Sequence, residues 1–153
     1  MKIGVPKEVK NNESRVGLTP DSVKTLVEKG HEVKIQSNAG AAIGFSDSLY
    51  RKSGAIILQN AEEVFYAADL IIKVKEPIQE ELKFLREDLT LFTYLHLAGN
   101  SAQAKKLLET GVTGIAYETV TASDGSLPLL APMSAIAGQL SMAVGSYHLL
   151  KPN

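Results

Sequence analysis

Four places in the sequence combine a reactive side chain with the end of a recognisable element. Arg15 follows the apolar run at residues 2–5 across the polar stretch Pro6-Lys7-Glu8-Val9-Lys10-Asn11-Asn12-Glu13-Ser14. Lys75 closes Leu70-Ile71-Ile72-Lys73-Val74 and precedes Glu76-Pro77. His96 lies in Phe92-Thr93-Tyr94-Leu95-His96-Leu97-Ala98, and Met133-Ser134 stands where a long segment of small and apolar residues opens. An arginine presents a planar fork of donors that matches a carboxylate bidentately. A lysine is a compact cation able to polarise a carbonyl, and a histidine carries protons near neutral pH. Together they could hold a carboxylate, stabilise a developing oxyanion and move a proton. Taken singly, each has a plainer use. Arg15 and Lys75 would be solvated charges on buried stems, His96 a core histidine, Met133 core packing, and Ser134 part of a helix start.

The elements that must position these residues alternate regularly. Strands are expected at residues 2–5, 32–36, 55–58, 69–74, 91–97 and 113–117. Helices are expected from Thr19-Pro20 to Gly30, from Ser46 to Gly54, from Asn60 to Tyr66, over 78–85, and from Ser101 to Gly111. Thr19, Ser46, Asn60 and Ser101 are read as caps, and Pro20 suits a first helical position. A glycine separates helix from following strand at Gly30, Gly54 and Gly111, where a left-handed residue ends a helix. The run at 69–74, broken only by Lys73, reads as a central strand buried on both faces. Strands alternating with helices of about ten residues imply βαβ units. The fold expected is α/β, a doubly wound, mostly parallel sheet of Rossmann-like or flavodoxin-like type. The carboxyl ends of parallel strands share one edge, so Arg15, Lys75 and His96 are expected along it. Ser123-Asp124-Gly125-Ser126 reads as a small hairpin tip. Arg86 reads as an ordinary exposed arginine.

A long helix is expected from Met133-Ser134 to about Leu150. Met133, Ile136, Ala137, Leu140, Val144 and Tyr147 form one stripe, with Met142, Leu149 and Leu150 off it. A helix apolar on more than one side is buried on more than one side, so this one is expected to pack on something beyond the first domain. The division expected is an α/β domain over 1–131 and a linking helix over 132–153.

Composition bounds the function. Of 153 residues, 44% are hydrophobic and 22% charged, and the net charge is −1. No basic excess points to nucleic acid or an anionic membrane. Without cysteine there is neither a disulfide framework nor a thiolate metal site. No uncharged apolar run reaches the ~18 residues of a membrane span, and the start does not read as a signal peptide. A cytoplasmic domain is expected, with no metal site.

The ordered strings add a family resemblance. Gly4-Val5-Pro6-Lys7-Glu8, Asn12-Glu13, Arg15-Val16 and Thr19-Pro20 resemble the N-terminal signature of the alanine dehydrogenase and pyridine-nucleotide transhydrogenase family. Lys73-Val74-Lys75-Glu76-Pro77, the segment around His96, Ile115-Ala116-Tyr117-Glu118-Thr119-Val120 and Leu127 through Ser134 are similar to alanine dehydrogenases in particular. The resemblance spans essentially the whole chain. It implies substrate binding by Arg15, Lys75 and Met133, catalysis by His96 and Lys75, and cofactor contact at Ser134. The implied reaction is NAD-dependent oxidation of L-alanine to pyruvate and ammonia. Members of the family continue into a domain with a glycine-rich phosphate loop and a catalytic aspartate. This chain is therefore expected to be a part that is inactive alone and needs a second chain or domain for NAD. A homo-oligomer through the C-terminal helix is also implied, since the family forms hexamers. Two departures stand out: Gly17 where alanine is usual, and Ala135 where an acidic residue commonly follows Met-Ser. The alternatives are a fragment of a NAD(P) transhydrogenase alpha subunit, or a non-enzymatic binding module on the same fold.

Overall fold

All six strands run parallel. In a computed structural model describing residues 1–150, the chain forms two compact units, Met1–Ala116 and Tyr117–Asn153. The first contains β1 (Lys2–Val5), α1 (Pro20–Glu28), β2 (Glu32–Gln36), α2 (Asp47–Lys52), β3 (Ile56–Leu58), α3 (Ala61–Tyr66), β4 (Leu70–Ile72), β5 (Thr90–Thr93), α4 (Ser101–Thr110) and β6 (Thr113–Ala116). The strand order is β3-β2-β1-β4-β5-β6. This is the Rossmann order, not the flavodoxin one, and it reverses direction between β1 and β4. Ile3 pairs with Leu70 and Gly4 with Ile71 at that junction.

The layering follows from strand periodicity, since alternate side chains face opposite ways. Ile3, Val5, Val33, Ile35 and Ile72 enter one core with Val23 and Tyr50 of α1 and α2. Ile71 and Leu91 enter the other with Val64, Phe65 and Leu107 of α3 and α4. Ile71 and Ile72 thus bury themselves on opposite faces, as the unbroken apolar run requires of a central strand. Gly4 lets α3 come close. A Cβ there would lie 2.7 Å from Ile71 Cδ1 and 2.9 Å from both Ala68 Cβ and Val64 Cγ1. Tyr50 is fully buried and donates its hydroxyl to the Leu18 carbonyl at 2.8 Å. Burial, and then the charge of Asp47, push its phenol up to about 12.

Thr19, Ser46 and Asn60 cap their helices by accepting from the amides of Ser22, Leu49 and Glu63. Gly30, Gly54 and Gly111 have φ of +83°, +92° and +70°, the left-handed stops expected at the three helix-to-strand joints.

Several expectations are corrected. Residues 78–85 form no α-helix. Only Leu82–Phe84 makes a single 3-10 turn, because the Glu81 carboxylate turns inward and accepts from the Ile78 amide at 2.9 Å. The strand expected at 91–97 ends at Thr93, since His96 has φ +51°, a left-handed value that cannot continue a strand. The cap of α4 is Asn100, which accepts from the Gln103 amide, and Ser101 is the first helical residue. Residues 123–126 make a local turn with no flanking strands. Ala122 N–H donates to the Ser126 carbonyl, and Asp124 Oδ1 accepts from Ser126 N–H. Arg86 is partly buried and caps the end of α3. It donates to the carbonyls of Phe65 at 2.9 Å and Ala68 at 2.6 Å.

The second unit contains a 3-10 turn, Tyr117–Thr119, and α5, Ala131–Leu149. α5 begins before Met133-Ser134, with Pro132 in its first turn. None of its described residues is buried within this chain. Tyr147 is 63% and Leu149 87% exposed. No helix among the described residues is long and apolar enough to cross a membrane.

Candidate functional site

The reversal of strand order leaves a crevice outside the carboxyl ends of β1 and β4, where open α/β sheets bind ligands. The connection that leaves β1 carries Glu8, Glu13 and Arg15. The extension of β4 carries Lys73, Lys75 and Glu76. A cleft of about 410 Å³ lies on the β2 side of the β1 connection, lined by Lys7, Glu8, Glu13 and Arg15 and by Asn38 and Ala39 beyond β2, among others.

Arg15 is held by its near neighbour. Its Nε donates to Glu13 Oε1 at 2.8 Å and its Nη2 to Glu13 Oε2 at 2.7 Å, while its backbone N–H reaches Oε1 at 2.9 Å. Glu13 is held down at about 2. The Arg15 side chain is the main cause, acting against burial, and the Arg15 backbone amide and the charges of Arg15 and Lys75 add to it. The same hydrogen bonding raises Arg15, again against burial. The guanidinium plane is therefore fixed, and Lys75 lies near enough for its charge to be felt by Glu13.

Beneath this pair lies a charge cluster that sequence reasoning missed. Lys73, read as an interruption of a buried strand, is 1% exposed. Its Nζ lies 2.8 Å from Glu81 Oε1 and 3.4 Å from Glu8 Oε2. Glu8 and Glu81 are themselves buried. A buried charge persists only when paired and hydrogen-bonded. Here one ammonium meets two carboxylates, and the remaining carboxylate oxygens accept backbone amides. The signal in the sequence was a lysine inside an apolar strand, which calls for a buried counter-charge elsewhere in the chain.

Lys75 is half-buried at a bend after β4, and its carbonyl accepts from Thr93 Oγ1 at 2.9 Å. His96 lies beyond β5 and is exposed, not embedded in an apolar strand as expected. Its ring stacks on Tyr94 with centroids 5.8 Å apart and planes at 12°. Glu76 is ion-paired with Lys10. Burial pushes the Glu76 carboxyl upward. The Lys10 hydrogen bond outweighs it, together with its own backbone and the charges of Lys10 and His96, so the group sits below its ordinary value. His96 thus lies within electrostatic reach of the β4 extension. Arg15, Lys75 and His96 come from one edge of one sheet.

Gly17 has a structural reason. A Cβ at that position would lie 2.6 Å from the Ile72 carbonyl oxygen. The loop bearing Arg15 consequently runs directly against the end of β4, and the alanine usual in the family would require that contact to move.

Met133 and Ser134 belong to the second unit. Both of their amides donate to the Leu130 carbonyl, each at 3.1 Å, so neither is available as a helix-terminal phosphate donor. The β1-to-α1 connection has no Gly-x-Gly-x-x-Gly, and the first turn of α1 is closed by Thr19 and Pro20. Neither of these two helix starts therefore fits a dinucleotide pyrophosphate.

Comparison with known proteins decides the family. Residues 4–137 match the profile described as alanine dehydrogenase/PNT, N-terminal domain. The chain belongs to this family. It is 51% identical over 153 residues to an alanine dehydrogenase of Geobacillus stearothermophilus, covering all of this chain and 41% of that one. It is 52% identical over 151 residues to an alanine dehydrogenase of Methanococcus maripaludis, covering 99% of this chain and 40% of the relative. A solved L-alanine dehydrogenase superposes with TM-score 0.91 at 49% identity, over 97% of this chain and 41% of that structure. A transhydrogenase from Sinorhizobium meliloti is more distant, with TM-score 0.72 and 28% identity over 77% of this chain and 35% of that structure. The chain thus spans about two-fifths of the length of the alanine dehydrogenases it matches. It corresponds to their N-terminal domain.

Proposed function

We propose that this chain is the substrate-binding part of a NAD-dependent alanine dehydrogenase, taking L-alanine and pyruvate at the rim between β1 and β4. The observation that carries the reading is the pairing of a fixed guanidinium with a half-buried lysine at the switch point of the sheet. It is supported by half-identical relatives named as alanine dehydrogenases. Arg15 receives the substrate carboxylate, on a guanidinium whose plane Glu13 holds. Lys75 faces the carbon that becomes a carbonyl and stabilises the charge on its oxygen. His96 takes the proton released as amine becomes imine and water adds, and returns it in the reverse direction. Exposure of its ring gives it access to water. The family resemblance further assigns Met133 to the substrate and Ser134 to the cofactor.

NAD, when bound to the whole protein, would accept the hydride from the substrate carbon. The chain by itself is expected to reduce no NAD. The whole protein acts in the cytoplasm as a homo-oligomer, with the apolar surface of α5 among its contacts.

NMR titration of the 153-residue chain with pyruvate tests the substrate reading. Arg15→Lys, which loses the bidentate fork, should weaken binding about tenfold or more, the scale for a charge-assisted pair. Arg51→Lys on the exposed end of α2 should leave it unchanged. Equal effects of the two substitutions would remove Arg15 from the site.

A further inference from the structure

We infer that Glu8 is a positioning residue that sets Lys75 at the substrate rim. The inference rests on the proposed role of Lys75 and extends it to a residue that nothing else assigns. The ladder between β1 and β4 pairs Ile3 with Leu70 and Gly4 with Ile71, and no pair follows. β1 ends at Val5 and Pro6 turns the chain away. The next amides of the β4 extension therefore find no strand beside them on that side. Glu8 supplies what the strand no longer does. Its Oε1 accepts from Val74 N–H at 2.6 Å and from Lys75 N–H at 3.3 Å.

Amides of successive residues in a straight strand point to opposite sides. Two that converge on one oxygen require a bend, and residues 74 and 75 form one. One carboxylate oxygen thus fixes the bend from which the Lys75 side chain departs. On the other side β5 completes the hold: Tyr94 N–H donates to Val74 O at 3.3 Å and Thr93 Oγ1 to Lys75 O at 2.9 Å. Lys73 keeps the acceptor in place, since Glu8 Oε2 lies 3.4 Å from its Nζ. Glu8 and Arg15 share one loop, so the carboxylate also ties the segment bearing the guanidinium to the segment bearing the ammonium. Glu8 is 6% exposed, and both of its carboxylate oxygens are engaged within the chain.

A double-mutant cycle read by pyruvate titration separates this role from a merely structural one. Glu8→Met keeps the volume, removes the acceptor and leaves Lys73 paired with Glu81. It should weaken pyruvate about tenfold when Lys75 is present. In a Lys75→Met background it should change affinity by less than about twofold, because residues coupled through one network are not additive. Glu8→Gln, which retains an acceptor oxygen, should recover most of the loss. Equal losses in both backgrounds, or a glutamine variant as weak as the methionine variant, would overturn the inference. Amide hydrogen exchange provides a second reading that needs neither ligand nor variant. In the unmodified chain, Val74 and Lys75 should exchange as slowly as Ile71 and Ile72, although they lie outside the ladder. Rapid exchange at those two amides overturns the anchoring by Glu8. Failure of the unmodified chain to bind pyruvate, with slow exchange retained, would instead remove the substrate reading and leave the anchor standing.

Discussion

The rim at β1 and β4 and the flank formed by α4 and β6 are built on opposite terms. At the rim, charges are satisfied by directional bonds: buried Lys73 with Glu8 and Glu81, partly exposed Arg15 with Glu13, and backbone amides with the remaining oxygens. At the flank, Leu97, Leu108 and Ile115 face solvent, Leu108 at 82% exposure, beside an apolar groove of about 390 Å³. Directional bonds at the rim specify distances between the segments that carry Arg15 and Lys75. The flank specifies only that apolar surface is present, and such surface accepts many shapes of cover. The difference teaches where precision is required. The buried charges lie where a small anion is proposed to bind, and the exposed leucines where only area matters.

The sharpest way to break the contrast is to take the cation out of the rim. Lys73→Met would leave two buried carboxylates without their shared counter-charge, and removal of one partner from a buried ion group costs about 3–5 kcal/mol. Urea denaturation should show a loss of that order. A loss below about 1 kcal/mol would mean that the cluster is hydrated and the rim is not a buried polar network.

Acid titration examines the outer pair with a smaller expected effect. Glu13 sits at about 2 in the folded chain, against roughly 4.3 for a free glutamate. Its folded value is lowered, so its contribution is present above the unfolded value. That contribution is lost as pH falls from about 4.5 towards 2. Thermal melts from pH 6 to 2 should show Glu13→Gln losing less stability over that interval than the unmodified chain. The difference should not exceed about 1 kcal/mol, because the guanidinium partner is open to solvent. Parallel curves for the two proteins would show that the pair contributes nothing.

The flank should be nearly indifferent. Leu108→Gln should alter stability by no more than about 0.5 kcal/mol, the usual range for an exposed position. Sedimentation should show less concentration-dependent association. A marked destabilisation would show that Leu108 is part of the core and would erase the distinction between the two regions.

Much of this was legible in the sequence because it is local. Thr19, Ser46 and Asn60 announce helix starts through the amide three residues on, and Gly30, Gly54 and Gly111 announce helix ends through their φ. The two-sided burial of β4 follows from Ile71 and Ile72 alone. The strand order was not readable, since nothing in one strand states which strand lies beside it. Glu8 looks like a surface charge and Lys73, inside an apolar run, does not name its partner, and only the sheet brings them together. His96 was read within a strand because its neighbours are apolar, while its left-handed φ reflects a turn in the chain that residue type does not encode. Arg86 resembles any charged surface residue until the carbonyls at the end of α3 are found beneath it.

The spacing of the two holds has a consequence for the order in which the rim assembles. Glu13 and Arg15 are two residues apart, whereas Glu8 and Val74 are separated by 66. The cost of closing a loop grows with its length, and long-range pairings are late to be repaid in folding. The guanidinium can find its orientation in a short loop before any sheet exists. The ammonium of Lys75 acquires its place only when β1 and β4 have met. During refolding, one half of the proposed anion site should therefore form early and the other should appear with the last step of sheet closure, so that carboxylate affinity, if the proposal holds, would report completion of the fold.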